Sequence, residues 1–227
     1  TNNNRVRKIT IATGVITTAA GTGTGVYNGD SNILATTVNL NNPVGVALDS
    51  AGNIYIGDQI NYRVRKVNLT TGNVTTIAGN ANNGFNGDNI PASTASLNGP
   101  TGITLDSAGN IYIADQFNHR VRKIAAATGI ISTVAGNGSS TYSGDGGAAT
   151  SATVFNPNCI TLDSAGNLYI ADTNNNRVRK ITIATGVITT VAGTGNGTYN
   201  GDSNILATTV NLNNPNGVAL DSAGNIY

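Results

Sequence analysis

The segment Asp-Ser-Ala-Gly-Asn-Ile/Leu-Tyr begins at Asp49, Asp106, Asp163 and Asp221, at spacings of 57, 57 and 58 residues. A chain that repeats itself at such a period is committed to stacking one supersecondary unit against its own copies. The first and last copies are near duplicates. Residues 1–55 and 173–227 align without gaps and differ at only four positions, Ala19/Val191, Thr24/Asn196, Val26/Thr198 and Val44/Asn216. The middle copies are more divergent but keep the register.

Each unit reads as four short strands. Gly45–Asp49 is the first, closed by the turn Asp49-Ser50-Ala51-Gly52-Asn53, where Gly52 can take the positive φ of a tight hairpin. Asn53–Ile56 is the second, and Asn61 sits in the turn that follows. Arg63–Val67 is the third, and Thr71-Gly72 turns the chain into the fourth, Asn73–Ile77. The abundance of Gly, Asn and Thr beside Val and Ile fits many short strands better than helices. Three tight hairpins in a row make an antiparallel meander, and one such sheet leaves its faces unburied, so the copies must pack together. Radial packing into a β-propeller fits antiparallel units better than a β-solenoid does. A blade normally takes about 40–45 residues, so each unit has a surplus. It falls between the fourth strand and the next first strand, at 79–100 and 136–157, and is read as a long loop.

These motifs resemble NHL-repeat β-propellers, in the style of bacterial repeat arrays. The resemblance is carried by Pro-x-Gly-Val/Ile-x-Leu-Asp at Pro43–Asp49, Pro100–Asp106 and Pro215–Asp221, then Gly-Asn-Ile/Leu-Tyr-Ile-Ala/Gly-Asp, then Asn-x-Arg-Val-Arg-Lys as at Asn118–Lys123. It covers essentially the whole chain and implies one all-β domain over 1–227, a propeller of four-stranded antiparallel blades. Relatives usually carry six blades, whereas this chain encodes four repeats. Tyr227 stops inside a second strand and Thr1 resumes in the turn after it. The terminal blade is therefore expected to combine C-terminal strands one and two with N-terminal strands three and four, closing a four-bladed ring with no exposed edge. The alternatives are a fragment of a six-bladed or longer array, or a larger ring shared by two chains. The expected state is thus monomer or homodimer.

Every charged residue belongs to the repeat. The twelve basic residues are the Arg-x-Arg-Lys triplets, and the eleven acidic ones are all Asp. One Asp series ends the first strand (Asp49, Asp106, Asp163, Asp221), and a second ends the second strand (Asp58, Asp115, Asp172). A third lies in the long loop (Asp30, Asp88, Asp145, Asp202). A reaction centre needs unlike groups in unlike environments, and repetition supplies like groups, so the chain is read as a non-enzyme. Family resemblance also brings lactonases and lyases that use calcium or zinc at a central pore. Their sites draw Glu, His and Asp unequally from different blades. With no Glu and one His, no catalytic residue is carried over.

Asp58, Asp115 and Asp172 each precede an Arg by five residues, which predicts a turn cap or a pair with Arg63, Arg120 and Arg177. The other reading is a carboxylate ring at the pore mouth holding calcium, the one cofactor considered. The loop aromatics Tyr27, Phe85, Tyr142 and Tyr199 are expected to pin the long loop onto a blade, or to serve as platforms for a sugar or peptide. His119 shares its slot with Asn4, Tyr62 and Asn176, which favours a structural or surface role. Cys159 takes a slot that holds Gly45, Gly102 and Gly217, and no base is placed beside it.

The long loops and the turns after the second strands share one face and vary most. Binding sits on variable loops carried by a rigid frame, so Ile60, Tyr62, Phe117 and His119 are the candidate contacts for a protein or glycan ligand. An assembly unit without a small ligand is the next reading, and a pore-site lactonase or lyase the last. A formal charge of +1 offers no footprint for nucleic acid or an anionic membrane, and no apolar run is long enough to span a bilayer. One Cys excludes an internal disulfide framework. The start lacks Met and a recognisable signal peptide, so the chain is read as mature, trimmed or part of a longer protein. Its Asn-rich, Lys-poor composition suits a secreted or cell-surface bacterial protein.

Overall fold

A computed structural model describes residues 2–29, 33–201 and 204–227. The protein is all-β and built as a β-propeller. The hairpin β1 (Val6–Thr10) and β2 (Val15–Ala20) comes first. The first complete blade follows, with β3 (Ile33–Leu34), β4 (Pro43–Leu48), β5 (Ile54–Asp58), β6 (Arg63–Val67) and β7 (Asn73–Ala78). The second holds β8 (Ile90–Pro91), β9 (Pro100–Leu105), β10 (Ile111–Asp115), β11 (Arg120–Ile124) and β12 (Ile130–Ala135). The third holds β13 (Pro157–Leu162), β14 (Leu168–Asp172), β15 (Arg177–Thr182) and β16 (Val187–Ala192). Each blade is an antiparallel meander with its first strand innermost, and β4, β9 and β13 contact one another in turn.

The hairpin turns are held as their residues demand. The Asp49 carboxylate accepts from the amides of Ala51 (3.1 Å) and Asn53 (2.9 Å), from Asn53 Nδ2 (2.8 Å) and from the Tyr55 hydroxyl (3.1 Å). Gly52 takes a φ of 82°. The same arrangement recurs at Asp106, Asp163 and Asp221. Asn53 and Asn110 extend it through their side-chain oxygens, which accept from the amides of Leu69 (2.9 Å) and Ala126 (3.0 Å). The first and third turns of each blade are thereby tied together.

The inner strands approach closely. A Cβ on Gly45 would lie 2.0 Å from the Thr101 carbonyl, and one on Gly102 would lie 2.5 Å from that of Asn158. Glycine is required at both positions because neighbouring backbones already fill the space. Cys159 occupies the same slot in β13, facing the looser C-terminal segment, and its Sγ lies 3.7 Å from the Val218 carbonyl.

Two expectations are corrected. The surplus between blades is not a plain loop. It places two-residue strands on blade edges, β3 on β7 and β8 on β12, with a single bridge from Ala148 to Val187 in the third blade. It then runs between blades, where Ala92, Ala95 and Leu97 are buried with Val64 and Ala78 of one blade and Ile113 and Ile131 of the next. The linker is wedge-shaped core, and its small residues let two sheets approach.

The expected seam does not form either. Among the described residues β1 and β2 remain a two-stranded sheet, and the C-terminal segment carries the single bridge from Leu220 to Ile226. The sheets form an arc whose ends do not pair. Complete blades tie strand two to strand three through a buried Asp–Arg pair, whereas Arg7 of β1 is exposed.

Candidate functional site

The end of each blade where strand two meets strand three is organised around one buried arginine. In the second blade the Asp115 carboxylate accepts from the Asn98 amide (2.7 Å), from Asn118 Nδ2 (2.8 Å) and from Arg122 Nη1 (3.4 Å). Arg122 also reaches the linker, with Nη2 3.0 Å from Asp88 Oδ1 and 2.8 Å from the Gly87 carbonyl. The third blade repeats this with Asp172, Asn175, Arg179 and the linker carboxylate of Asp145, which lies 2.6 Å from Arg179 Nη2. In the first, Asp58, Asn61 and Arg65 take the same roles. All three arginines and their strand-two aspartates are fully buried.

This geometry corrects the expected ion pairs. Asp58 and Arg63 are register partners, yet the guanidinium of Arg63 donates to the Asn61 carbonyl (2.9 Å). The carboxylate pairs instead with Arg65, two residues further along the same strand face. Alternation explains it: Arg63 and Arg65 lie on one face, and the inner position belongs to Arg65. The aspartates do not form a ring. Each is enclosed in its own blade, with its oxygens occupied by Asn amides and Arg. Among the described residues no group of three His, Cys or Asp side chains is arranged to hold a metal ion, and Asp58, Asp115 and Asp172 each pair with an arginine of their own blade. Burial dominates their titration and raises all three carboxyls. Asp115 is pushed up to about 6, against the opposing hydrogen bonds of Asn118 and Asn98 and the charge of Arg122.

The linker aromatics lie on these arginines. The guanidinium carbon of Arg63 is 3.9 Å from the centroid of Tyr27, that of Arg120 is 3.9 Å from Phe85, and that of Arg177 is 3.5 Å from Tyr142. The buried arginine of each blade touches the same ring, Arg65 at 5.3 Å, Arg122 at 4.8 Å and Arg179 at 4.9 Å. Tyr27, Phe85 and Tyr142 thus pin the linker by cation–π contact, each pair contributing about 0.5–2 kcal/mol. Tyr199 is mostly exposed. Asp30 and Asp202 of the loop series lie outside the described residues.

The four turn candidates divide. Asn61, Asn118 and Asn175 end short 3-10 turns, and the next residue, Tyr62, His119 or Asn176, adopts left-handed backbone at φ 53–54°. Tyr62 and His119 are half-buried. The His119 ring packs edge-on against Phe155 at 5.3 Å, and its Nδ1 accepts from the Asn156 amide (3.3 Å). Burial and the neighbouring Arg120 hold its pKa below the usual histidine range. Ile60 and Phe117 are exposed, at the slot where the third blade has exposed Asn174.

Beside them lies a polar seam that residue types alone did not single out. Asn42 donates to Gln59, whose Nε2 donates to Gln116 Oε1 across two blades (3.0 Å). Thr101 Oγ1 donates to the Asn158 carbonyl (2.9 Å), and Asn158 Nδ2 to Asn216 Oδ1 (3.0 Å). Only the spacing of 57 between Gln59 and Gln116 hinted at it.

Comparison with known proteins places this geometry. The family model described as the Teneurin NHL domain matches residues 137–202, and that of the NHL repeat matches residues 97–124. Teneurin-4 of Homo sapiens is 33% identical over 163 residues, 66% of this chain and 6% of its own length. NHL repeat-containing protein 2 of Bos taurus is 30% identical over 153 residues, 63% of this chain and 21% of its own. The chain therefore spans a small part of these relatives. Among solved structures, an auxiliary nutrient binding protein from Bacteroides thetaiotaomicron superposes with a TM-score of 0.66 at 20% identity, over 98% of this chain and 50% of that one.

Proposed function

Because the chain belongs to the NHL-repeat family of β-propellers, we propose that it is a non-enzymatic interaction scaffold whose protein or glycan partner meets the face carrying the turns after the second strands. The observation that carries this reading is the contrast at one repeated slot. Ile60, Phe117 and Asn174 stand exposed at equivalent positions on frames whose Asp, Asn and Arg are engaged internally. A rigid frame with unlike exposed groups suits recognition, whereas the charged groups that chemistry would use are bound to one another. The Asn42–Gln59–Gln116 seam adds amides that can donate and accept beside the two apolar side chains.

The test is a glycan array and a protein-domain array, each probed with the wild-type chain and with the double variant I60S/F117S. Binding that the double variant loses, at an unchanged melting temperature, supports the reading. A hit that the double variant retains would sink it. His119 is a poorer probe than its sequence position suggested, since its ring packs against Phe155 and its Nδ1 accepts from Asn156, so its removal confounds binding with stability.

A further inference from the structure

Eight Asn-Gly pairs lie in the chain. Such a pair is chemically labile, because glycine has no Cβ to shield its amide nitrogen and turns easily toward the preceding side chain. That nitrogen can attack the Asn Cγ only where the side chain is free to move. In seven pairs the fold restrains it. Asn28, Asn86 and Asn200 each staple their linker, the Nδ2 donating to the carbonyl of Thr37, Thr94 or Thr209 and the Oδ1 accepting from the amide of Asn39, Ser96 or Asn211. Asn137 is held in the same way, between the Ser151 carbonyl (3.1 Å) and the Ser139 amide (2.9 Å). Asn196 and Asn216 each accept a hydrogen bond at Oδ1, from Thr198 and Asn158. Asn98 is clamped through its backbone between Asp115 and Phe117, and Gly99 is buried beneath the Phe117 ring.

The eighth pair differs. Asn83 is exposed and makes no side-chain hydrogen bond among the described residues. A Cβ on Gly84 would meet nothing within 4 Å, and its φ is 115°. The pair is peculiar to the second linker. Aligned on the loop aromatic, the same two slots hold Gly25-Val26 in the first linker and Ser140-Thr141 in the third. The Gly84 carbonyl is not idle: it accepts from Asn118 Nδ2 (2.6 Å), which also donates to the buried Asp115 carboxylate (2.8 Å).

We propose that Asn83 is a site of spontaneous modification to aspartate and isoaspartate, and that the change is transmitted to the turn carrying Phe117 and His119. The Gly84 nitrogen forms a bond to the Asn83 Cγ and gives up its proton to solvent. The Cγ–Nδ2 bond breaks and ammonia leaves, which closes a cyclic imide. Water then adds at either imide carbonyl and opens the ring, to aspartate or to isoaspartate. Either product turns a neutral amide into a carboxylate and lowers the formal charge of +1 by one unit. Isoaspartate also routes the main chain through the former side-chain carbon, which lengthens it immediately before Gly84 and moves the carbonyl that holds Asn118. Phe85, pinned on Arg120, keeps the linker from sliding to absorb the extra length.

The test holds the full 227-residue chain at mildly alkaline pH and follows its peptides over time by fragmentation mass spectrometry, with isoaspartyl methyltransferase labelling of the product. Asn83 should convert about tenfold faster than the neighbouring Asn86, a ratio set by the hydrogen bonds that Asn86 must first give up. Comparable rates at the two sites in the folded chain overturn the proposal. So does the same preference persisting in urea, since it would then owe nothing to the fold. Asn83→Ser, which matches Ser140 of the third linker, should remove the first acidic charge variant to appear, at an unchanged melting temperature; a variant that still forms it assigns the chemistry elsewhere and overturns the site. Hydrogen exchange reads the consequence. Aged wild type should exchange faster over residues 116–119 than fresh protein, while aged Asn83→Ser should not. Exchange left unaltered in chains that carry isoaspartate at 83 would overturn the coupling to the turn.

Discussion

Residues 2–20 and 174–192 differ at one position, Ala19 against Val191, and occupy different worlds. Both form the same hairpin in the same register, with Arg7 opposite Thr18 and Arg179 opposite Thr190. Yet Ile16 is 50% exposed where Ile188 is 0%, and Ile9 is 57% exposed where Ile181 is 1%. Arg7 stands in solvent where Arg179 is buried between Asp172 and Asp145. The pair shows that strand and register are local properties here, whereas burial comes from the neighbours: β13, β14 and the linker stand beside one hairpin, and among the described residues no such strands stand beside the other. Each isoleucine so covered contributes about 1.5–3 kcal/mol, which the terminal hairpin forgoes.

The contrast breaks most sharply at the buried charges. Asp115→Ala leaves Arg122 buried without its strand-two carboxylate, and the expected cost is about 3–5 kcal/mol in urea denaturation. Arg7→Ala should fall within about 0.5 kcal/mol of wild type. A large loss from Arg7→Ala would mean that the terminal hairpin is packed in solution and that the two regions are alike. Ile188→Ala is expected to cost about 2–5 kcal/mol, while Ile16→Ala should cost well under that range. Hydrogen exchange supplies an independent reading, since amides of β1 and β2 should exchange long before those of β15 and β16.

Phe85→Ala and Tyr142→Ala sharpen the comparison at the linker. Each should cost about 1–2 kcal/mol and open its own linker to exchange, leaving the other protected. The smallest effect is the pH response of Asp115. Its folded pKa, raised by burial to about 6, lies above the unfolded value of about 3.9. The folded state therefore binds the extra proton, and this group's contribution is present below pH 4 and lost as pH rises through 6. Asp115→Asn should flatten that part of the stability–pH curve. The turn aspartates act oppositely. Asn53 holds the Asp49 carboxyl below its ordinary value, and at Asp106 and Asp163 the Asn hydrogen bonds outweigh burial with the same result. Their contribution is lost only as pH falls below 4, so a curve that declines steadily from pH 6 would contradict the Asp115 assignment.

Much of the architecture was legible because turn chemistry is local. Gly52 and Asp49 specify one hairpin wherever they recur, and the alternation in Arg63–Val67 needs no partner to be read. The linker was misread because Ala92, Ala95 and Leu97 lack the run of β-branched residues that marks a strand, and small side chains show their value only once two sheets close on them. The Asp–Arg pairing was placed on the nearer arginine for a similar reason. Proximity along the chain favoured Arg63, and the clue to Arg65 lay in the repeated spacing Asp58, Asn61, Arg65, which also holds at Asp115, Asn118, Arg122. At the candidate site, Ile60 and Phe117 were found through variation between copies. The structural duty of His119 depends on Phe155, 36 residues away, and no local pattern announced it.

The sequence by itself determined the repeat, the antiparallel hairpins, their register and the absence of any charged group outside the repeat, because these follow from φ preferences and side-chain alternation over a few residues. Only the tertiary structure decided which copies of an identical segment are buried, which arginine each aspartate pairs with, and that the arc leaves its two ends apart. Those outcomes depend on desolvation and close contact between segments some 57 residues apart, and a side chain acquires them only when another sheet arrives to exclude water.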